Sequence, residues 1–322
     1  MFNILITSAG QRVSLIRAFQ KETRIINPNN KVYAIDSCPI LAPACHVSDG
    51  YMKVKKVDDI NYIEELLSIC IGWDIKILIP TIDTELTILS SHIGLFYDNG
   101  IRVIVSDFEF VKTCRDKRLT NIFFLNNGIR VPKPIDKDNL EFPLFIKPYD
   151  GSLSRDIYVI KSKQELNNYH LTNPKLMFME YIDQSLYDEF TVDTYYNKNN
   201  VVSCIVPRKR LVVRAGEINK GLTIKNNIVQ LIKEKLNCIP GAIGCLTMQF
   251  FFNQKTNDIV GIEINPRFGG GYPLSYLAGA NFPRYIIDEY IFDKKIEYFE
   301  DWESNLLMLR YDDEILVHNY NE

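Results

Sequence analysis

The chain is predicted to fold as an α/β unit followed by an α+β unit, because its pattern of strands and helices changes once along 322 residues. In the first hundred residues, short apolar runs alternate with helical periodicity, which is typical of a parallel, doubly wound sheet. From Phe142 onward strands dominate, interrupted by three helices, which indicates a mixed, largely antiparallel sheet. We place the boundary near residue 107, where the pattern changes.

The elements of the first unit follow from apolar periodicity. Strands are expected at residues 3–7, 31–36, 75–79 and 102–105, and helices at residues 13–19, 60–70 and 86–96. Ile63, Leu66 and Cys70 share one face of the second helix, while Pro80 stops the third strand. Asp83 and Glu85 come directly after that strand, where open α/β sheets place ligands; acids at the start of a helix are an equally good explanation.

The second unit begins with a helical region, residues 108–128, which predicts one or two helices ending at Gly128. An extended, proline-containing connector follows. Strands are then expected at residues 144–147, 156–160, 175–180, 190–196, 201–206, 245–252 and 258–264. Helices are expected at residues 163–169, 226–237 and 285–292.

Composition excludes several classes of protein. A formal net charge of −3 with mixed signs does not favour a nucleic-acid partner. Without a run of about 18 apolar residues or a signal peptide, we expect no membrane partner and a cytoplasmic location. Seven cysteines without a C-x-x-C pair favour reduced thiols, and Cys38, Cys45 and His46 do not complete a zinc site. Gly10 followed by Asp36 lacks the three glycines of a dinucleotide-binding turn.

The most informative segment is the predicted hairpin at residues 245–265. Because side chains alternate along a strand, Gln249 faces away from the apolar side of the first strand, and Glu263 and Asn265 share one side of the second. Folding the hairpin about its polar turn sets Gln249 roughly opposite Glu263. One carboxylate and two amides are oxygen donors that suit Mg²⁺, and Arg267 follows at once, suited to a phosphoryl group. A solvated polar face is the alternative interpretation.

A lysine at the end of a buried strand is the second candidate for phosphate binding. Lys147 precedes the loop at residues 149–156, in which Gly151, Ser152 and Ser154 offer backbone and hydroxyl donors. By itself, a surface lysine that extends its charge into solvent is the more common case.

Two further segments have weaker signals. Residues 179–182 join an apolar strand to a polar loop that could meet an adenine edge, and Glu189 could accept ribose hydroxyls. Arg214 ends the densest basic patch, which begins at Arg208, and its guanidinium suits a substrate carboxylate or sugar phosphate. The alternatives are ordinary strand and loop for the first segment and a solvated strand for the second.

Taken in order, six segments resemble a known family. They are Arg115-Asp116-Lys117-Arg118-Leu119-Thr120, Phe145-Ile146-Lys147-Pro148, Met179-Glu180-Tyr181-Ile182, Glu189-Phe190-Thr191-Val192-Asp193, Gln249, and Glu263-Ile264-Asn265-Pro266-Arg267. Their order closely resembles the ATP-grasp superfamily, particularly proteins similar to the carbamoyl-phosphate synthetase large subunit. Residues 6–10, 34–37 and 79–85 look like the pre-ATP-grasp domain of that family. The resemblance covers all but about the last thirty residues.

The resemblance implies three domains and a role for each motif. A Rossmann-like pre-ATP-grasp domain would span residues 1–107, and a two-subdomain ATP-grasp fold would divide at residues 108–182 and 183–322. Nucleotide-binding roles are implied for Lys117, Lys147, Gly151, Ser152, Glu180, Tyr181, Ile182 and Glu189. Metal ligands would be Gln249, Glu263 and Asn265. The implied catalytic residues are Arg267, Lys147 and Arg214.

The sequence departs from the family in two places. Many ATP-grasp enzymes have an acid where Gln249 stands, although the synthetase-like branch often uses an amide. The loop after Lys147 has a single glycine, Gly151, where relatives often have several, and Arg155 could supply charge instead.

The function expected from the resemblance is that of a carboxylate–amine ligase that acts through an acyl phosphate and releases ADP and phosphate. Its cofactors would be ATP and a divalent metal, either Mg²⁺ or Mn²⁺. Its partners would be small-molecule carboxylate and amine substrates. A nucleotide-binding regulator without turnover and an ATP-grasp carboxylase or kinase are the alternatives. Amino acids, peptides and sugar acids all remain open as substrates, and a homodimer is expected from base rates.

Overall fold

The first unit is built on a parallel five-stranded sheet. The computed structural model describes residues 1–151, 156–214, 216–318 and 320. The five strands are β1 (Asn3–Ile6), β2 (Val32–Asp36), β3 (Tyr51–Lys53), β4 (Ile75–Ile79) and β5 (Arg102–Val103). Their order is β3-β2-β1-β4-β5, and every neighbouring pair is parallel. The strand order reverses between β1 and β4, which is where sheets of this type bind ligands.

Helices cover both faces of this sheet, as the alternating pattern predicts. They are α1 (Val13–Ile26), α2 (Pro43–Val47), α3 (Tyr62–Gly72), α4 (Asp83–Ser91) and α5 (Ile93–Asp98), with a 3₁₀ turn at Pro39–Leu41. Ile63, Leu66 and Cys70 are buried together, so the predicted face of α3 is confirmed. The expected single helix at residues 86–96 is two helices that meet at His92.

Two capped helices follow the parallel sheet. They are α6 (Phe108–Arg115) and α7 (Lys117–Asn126). Asp107 caps α6 by accepting a hydrogen bond from the Phe110 amide at 2.7 Å, and Asp116 caps α7 by accepting one from the Arg118 amide at 2.9 Å. The second cap makes Lys117 the first residue of α7.

A small antiparallel sheet comes next. Its strands are β6 (Leu144–Pro148), β7 (Tyr158–Ile160) and β8 (Leu176–Glu180), in the order β7-β6-β8. A 3₁₀ turn at Lys163–Glu165 and helix α8 (Asn168–Thr172) lie between β7 and β8. Leu144, Ile146, Ile160, Leu176 and Phe178 form a separate small core, so this sheet packs largely on its own side chains.

The last and largest sheet has six antiparallel strands. They are β9 (Asp188–Tyr196), β10 (Val202–Arg214), β11 (Glu217–Thr223), β12 (Gly244–Asn253), β13 (Asp258–Asn265) and β14 (Leu307–Leu309). Their order is β13-β12-β9-β10-β11-β14. Its helices are α9 (Asn227–Lys235), α10 (Tyr272–Leu277) and α11 (Phe282–Tyr290). The sequence misses β11, β14 and α10, and β10 runs eight residues beyond its expected end.

One apolar cluster joins the parallel sheet to the six-stranded sheet. Ile6 of β1 and Phe19 of α1 belong to it, together with Tyr195 of β9, Tyr272 of α10 and Phe282 of α11. The predicted fold class is therefore confirmed, with a parallel α/β unit packed against an antiparallel α+β unit. The domain boundaries at 107 and 182 stay predictions. Within the described part of the chain, every helix is too short or too polar to span a bilayer.

Candidate active site

A cavity of about 1040 Å³ lies where the three sheets face one another. Its walls come from the start of α4, the start of α7, strands β6 and β8, and the facing sides of β9, β10, β12 and β13. The segment Gly269–Gly271 closes one end. All but two of the predicted site residues line this cavity within the described ranges; the exceptions are Arg214, discussed below, and Ser152, which lies outside the described residues.

The predicted hairpin forms the floor of the cavity. Gln249 on β12 pairs directly with Glu263 on β13, beyond a register shift between Gln249 and Phe250. Gln249 Nε2 donates to Glu263 Oε1 at 2.8 Å, and Asn265 Nδ2 donates to the same oxygen at 3.1 Å. The apolar faces of both strands are buried underneath. Because both amides donate through nitrogen, their carbonyl oxygens are available to a further ligand.

Two lysines from different elements lie near Glu263. Lys117 Nζ lies 3.8 Å from Glu263 Oε2 and donates to the Gly151 carbonyl at 2.5 Å. Lys147, on β6, is 7% exposed. Burial lowers the pKa of Lys147 to about 8, although the nearby Glu263 carboxylate opposes that change. Two ammonium groups beside one carboxylate leave a net positive site, which suits nucleotide phosphates.

The predicted hinge and ribose acids lie on the same cavity. Glu180 accepts hydrogen bonds from Arg130 Nη2 at 2.5 Å and from the Lys133 amide at 3.1 Å, so its carboxylate braces the connector against β8. Glu189 Oε1 lies 3.4 Å from Arg210 Nε. Burial raises the pKa of the Glu189 carboxyl, although Arg210 acts against it.

Arg267 lies just beyond the hairpin and is held from both sides. Its Nη2 is 2.8 Å from Asp83 Oδ2, and its carbonyl accepts a hydrogen bond from Thr247 Oγ1 at 3.0 Å. Burial acts to lower the pKa of Arg267, but Asp83 and Glu263 outweigh it and raise the pKa. Arg267 is therefore a fixed cation, and Asp83, at the start of α4, is its partner from the parallel sheet.

Asp83 and Glu85 play different parts although they are two residues apart. Glu85 is fully buried and accepts hydrogen bonds from the Ser8 hydroxyl at 2.9 Å and from the Tyr62 hydroxyl. Burial raises the pKa of the Glu85 carboxyl. Glu85 thus ties the first unit together, whereas Asp83 faces the cavity.

Arg214 does not line the cavity as far as the structure is described, so its expected contact with substrate stays a prediction. Arg214 Nη2 is 2.8 Å from Asp312 Oδ1, and both side chains are exposed. Among the described residues that line the cavity, β10 contributes Arg208, Arg210 and Val213, not Arg214. The register between β10 and β11 shifts twice between Arg210 and Val213, which reverses the side-chain alternation.

Both parts of the chain resemble known protein families. Residues 4–104 match the family model of the PylC-like N-terminal domain, and residues 172–310 match that of the ATP-grasp in the biosynthetic pathway with Ter operon. A carbamoyl-phosphate synthase of Methanobrevibacter smithii is 25% identical over 224 residues, which cover 63% of this chain and 60% of that protein. The chain has the ATP-grasp fold and resembles carbamoyl-phosphate synthase. The match spans about three fifths of the length of that relative.

Solved ATP-grasp structures have the same fold at low identity. The biotin carboxylase domain of Hydrogenobacter thermophilus 2-oxoglutarate carboxylase, in complex with MgADP, ADP and bicarbonate, has a TM-score of 0.72 at 15% identity, covering 95% of this chain and 73% of that one. N5-carboxyaminoimidazole synthetase of Staphylococcus aureus with ADP has a TM-score of 0.68 at 15% identity, covering 96% and 80%. An L-amino acid ligase of Bacillus licheniformis has a TM-score of 0.68 at 15% identity, covering 90% and 74%.

Sequence reasoning missed Arg12 and Glu217 as cavity residues, and it named Arg208 only as the start of the basic patch. Arg12, in the loop before α1, is 3.1 Å from Glu217 of β11, and both line the cavity. Arg208 lines it as well and makes a buried ion pair with Asp193. Arg12 looks like an ordinary residue at a helix start, so only tertiary packing reveals it. Strand alternation in the sequence is enough to place Arg208 on the polar face of its strand.

Proposed function

We propose that the chain is an ATP-dependent carboxylate–amine ligase. ATP would transfer its γ-phosphoryl group to a carboxylate, and an amine would then attack the acyl phosphate, releasing ADP and phosphate. The observation that carries the proposal is the convergence of Lys117, Lys147, Glu263 and Arg267 on one cavity. Such chemistry asks the protein for positioning and charge neutralisation rather than for a covalent side chain.

The cavity contains donors that suit a nucleotide and a metal ion. Hard Mg²⁺ takes one or two carboxylates together with amide, water and phosphate oxygens. Glu263 and the free carbonyl oxygens of Gln249 and Asn265 fit that set, and the Hydrogenobacter domain is described with MgADP. Mg²⁺ or Mn²⁺ would neutralise phosphate charge, while Lys117 and Lys147 would bind phosphate oxygens.

Three single substitutions test the proposal. Lys147→Ala, Glu263→Ala and Arg267→Ala should each reduce substrate-dependent ADP release at least a hundredfold, because each removes charge stabilisation at the phosphoryl group. Lys295→Ala is the matched control, since Lys295 is exposed and pairs with Glu297 at the surface. ADP is measured across a panel of acids and amines that includes amino acids, peptides and sugar acids. Undiminished turnover in all three variants would refute the proposal.

Bicarbonate belongs in the same panel as the simplest carboxylate. The Hydrogenobacter structure is described with bicarbonate, so a carboxylase is the second candidate on this fold. Mass spectrometry of the products separates the two outcomes, because a carboxylated product and an amide differ in composition. ATP binding with no ADP release under any condition would favour a regulator instead.

The homodimer also stays a prediction.

A further inference from the structure

We propose that the end of the cavity between Asp83 and Arg12 is an acceptor subsite for an amine that also carries an anionic group, as an amino acid does. Asp83 Oδ1 would accept a hydrogen bond from the amine, and Arg12 would bind the anion. The inference rests on the proposed ligase function and names the class of nucleophile for it.

The first support is a pair of buried polar atoms without partners. Asp83 uses only Oδ2 in its contact with Arg267; Oδ1 is buried and has no hydrogen-bond partner among the described residues. Arg267 Nε is also buried and has no hydrogen-bond partner among the described residues. Buried polar atoms in native proteins are nearly always paired, so this ion pair beside the cavity keeps one acceptor and one donor for a further partner. An amine nitrogen supplies the donor that Asp83 Oδ1 lacks.

The position of Asp83 suits a nucleophile. Arg267 is two residues from Asn265, so the chain keeps the two Cα atoms within about 7 Å. Asp83 contacts Arg267 directly and therefore lies beside the phosphoryl centre. Both Asp83 and Asn265 line the same cavity.

The second support is an excess of positive charge at the glycine-rich end. Arg12 Nη1 lies 3.1 Å from Glu217 Oε1, and Arg310 Nη1 lies 3.5 Å from Glu217 Oε2, so two guanidinium groups share one carboxylate. Arg12 Nε and Nη2 have no partner within the described ranges. Burial lowers the pKa of Arg12, Glu217 opposes this, and Arg267 and Arg310 reinforce it. An anion would neutralise this group.

A third arginine faces the same end. Arg208 gives Nε and Nη2 to Asp193, whereas its Nη1 is buried and unpaired as far as the structure is described. Arg208 Nη1 lies against Gly271, and a side chain at position 271 would collide with this nitrogen. Gly271 is four residues from Arg267, which keeps their Cα atoms within about 14 Å of each other, and Arg267 acts electrostatically on Arg12.

The chemistry balances with these groups. The amine nitrogen attacks the carbonyl carbon of the acyl phosphate; the C–N bond forms, and the C–O bond to phosphate breaks. Phosphate departs with the electron pair and takes up the proton that nitrogen releases. Asp83 stabilises the positive charge that develops on nitrogen during attack.

Equilibrium binding tests the subsite without knowledge of the carboxylate. Ligands are the twenty amino acids, β-alanine, 4-aminobutyrate and 6-aminohexanoate, each with its uncharged carboxamide, titrated into the full chain with Mg²⁺ and a non-hydrolysable ATP analogue. At least one acid should bind at least tenfold more tightly than its amide. Arg12→Gln should remove that preference and Arg12→Lys should partly restore it, while Asp83→Asn should weaken acid and amide by the same factor.

The control variant is Lys295→Gln, whose lysine is exposed and pairs with Glu297 at the surface. Circular dichroism confirms that each variant is folded. If acids and amides bind equally, or if no ligand binds, the inference is wrong; ADP release by the wild type would then leave the ligase proposal standing. Selective binding without any ADP release would overturn the ligase proposal and, with it, the acceptor role, leaving only a binding site for amino acids.

Discussion

Lys147 shows how one buried side chain sets a pH range for the site. Burial lowers its pKa to about 8, against roughly 10.4 for a free lysine, although Glu263 opposes the change. Between pH 8 and about pH 10.4, Lys147 keeps its proton in the unfolded chain more often than in the folded one. The contribution of this group to the free energy of unfolding therefore rises with pH across that range, because folding no longer buries a charge.

The same pKa predicts how nucleotide affinity depends on pH. Only the charged lysine attracts phosphate, so the Kd for ATP should increase above pH 8. For one titrating group, the Kd at pH 9 should be about tenfold higher than its value at low pH. Isothermal titration calorimetry from pH 6.5 to 9.5 measures the Kd. Lys147→Arg is the control, since arginine stays charged throughout. An identical pH dependence in both proteins would show that Lys147 is not the group that titrates.

At the scale of elements, one buried ion pair holds four of them together. Asp193 of β9 accepts two hydrogen bonds from Arg208 of β10, at 2.7 and 2.9 Å. The Ser275 hydroxyl of α10 donates to Asp193 at 2.6 Å, and Thr247 of β12 lies 3.4 Å away. Arg208 and Asp193 are both fully buried. The pair thus fixes the cavity side of the six-stranded sheet against α10.

Removing one member of this pair should destabilise the fold strongly. Asp193→Leu leaves a buried guanidinium unpaired, and Arg208→Met leaves a buried carboxylate, so each should cost about 3–5 kcal/mol in the free energy of unfolding. The double variant should recover part of that loss, because no charge then remains buried. Urea denaturation followed by circular dichroism measures all four proteins. Strictly additive losses would mean that the two side chains do not stabilise each other.

Strand alternation is interrupted in both hairpins, with different consequences for the prediction. The turn between β12 and β13 alone would set Gln249 opposite Ile262, and a register shift between Gln249 and Phe250 brings Glu263 opposite Gln249 instead. Arg214 faces away from the cavity because β10 and β11 change register beyond Arg210, and nothing in the period of apolar residues marks that irregularity. Apolar periodicity predicts which strands pair, whereas it does not mark where a bulge shifts their register.

Contacts between distant segments were out of reach of the sequence. Asp83 precedes its partner Arg267 by 184 residues, and Arg12 is 205 residues from Glu217. Each looks like an ordinary surface charge, because helix starts commonly carry polar residues. Their pairing depends on how the parallel sheet packs on the six-stranded sheet, which local periodicity does not determine. The fold class was predictable, whereas the acceptor end of the cavity was not.

The whole molecule is joined across its two larger sheets by packing as well as by charge. The rings of Phe19 on α1 and Phe268 after β13 meet edge to face at 5.9 Å. The Tyr276 hydroxyl of α10 donates to Glu22 of α1 at 2.8 Å. Because both larger sheets bury side chains in one cluster, neither keeps its full core without the other.

Shared packing predicts that the chain melts in one transition that nucleotide shifts as a whole. A ligand at a hundred times its Kd stabilises the folded state by about 2.7 kcal/mol. With an unfolding entropy of about 2.1 cal/mol/K per residue, Mg²⁺ and an ATP analogue should raise the Tm by about 4 °C. Differential scanning calorimetry measures the shift, and Lys147→Ala should greatly reduce it. Two transitions, of which only one responds to nucleotide, would show that the two larger sheets unfold separately.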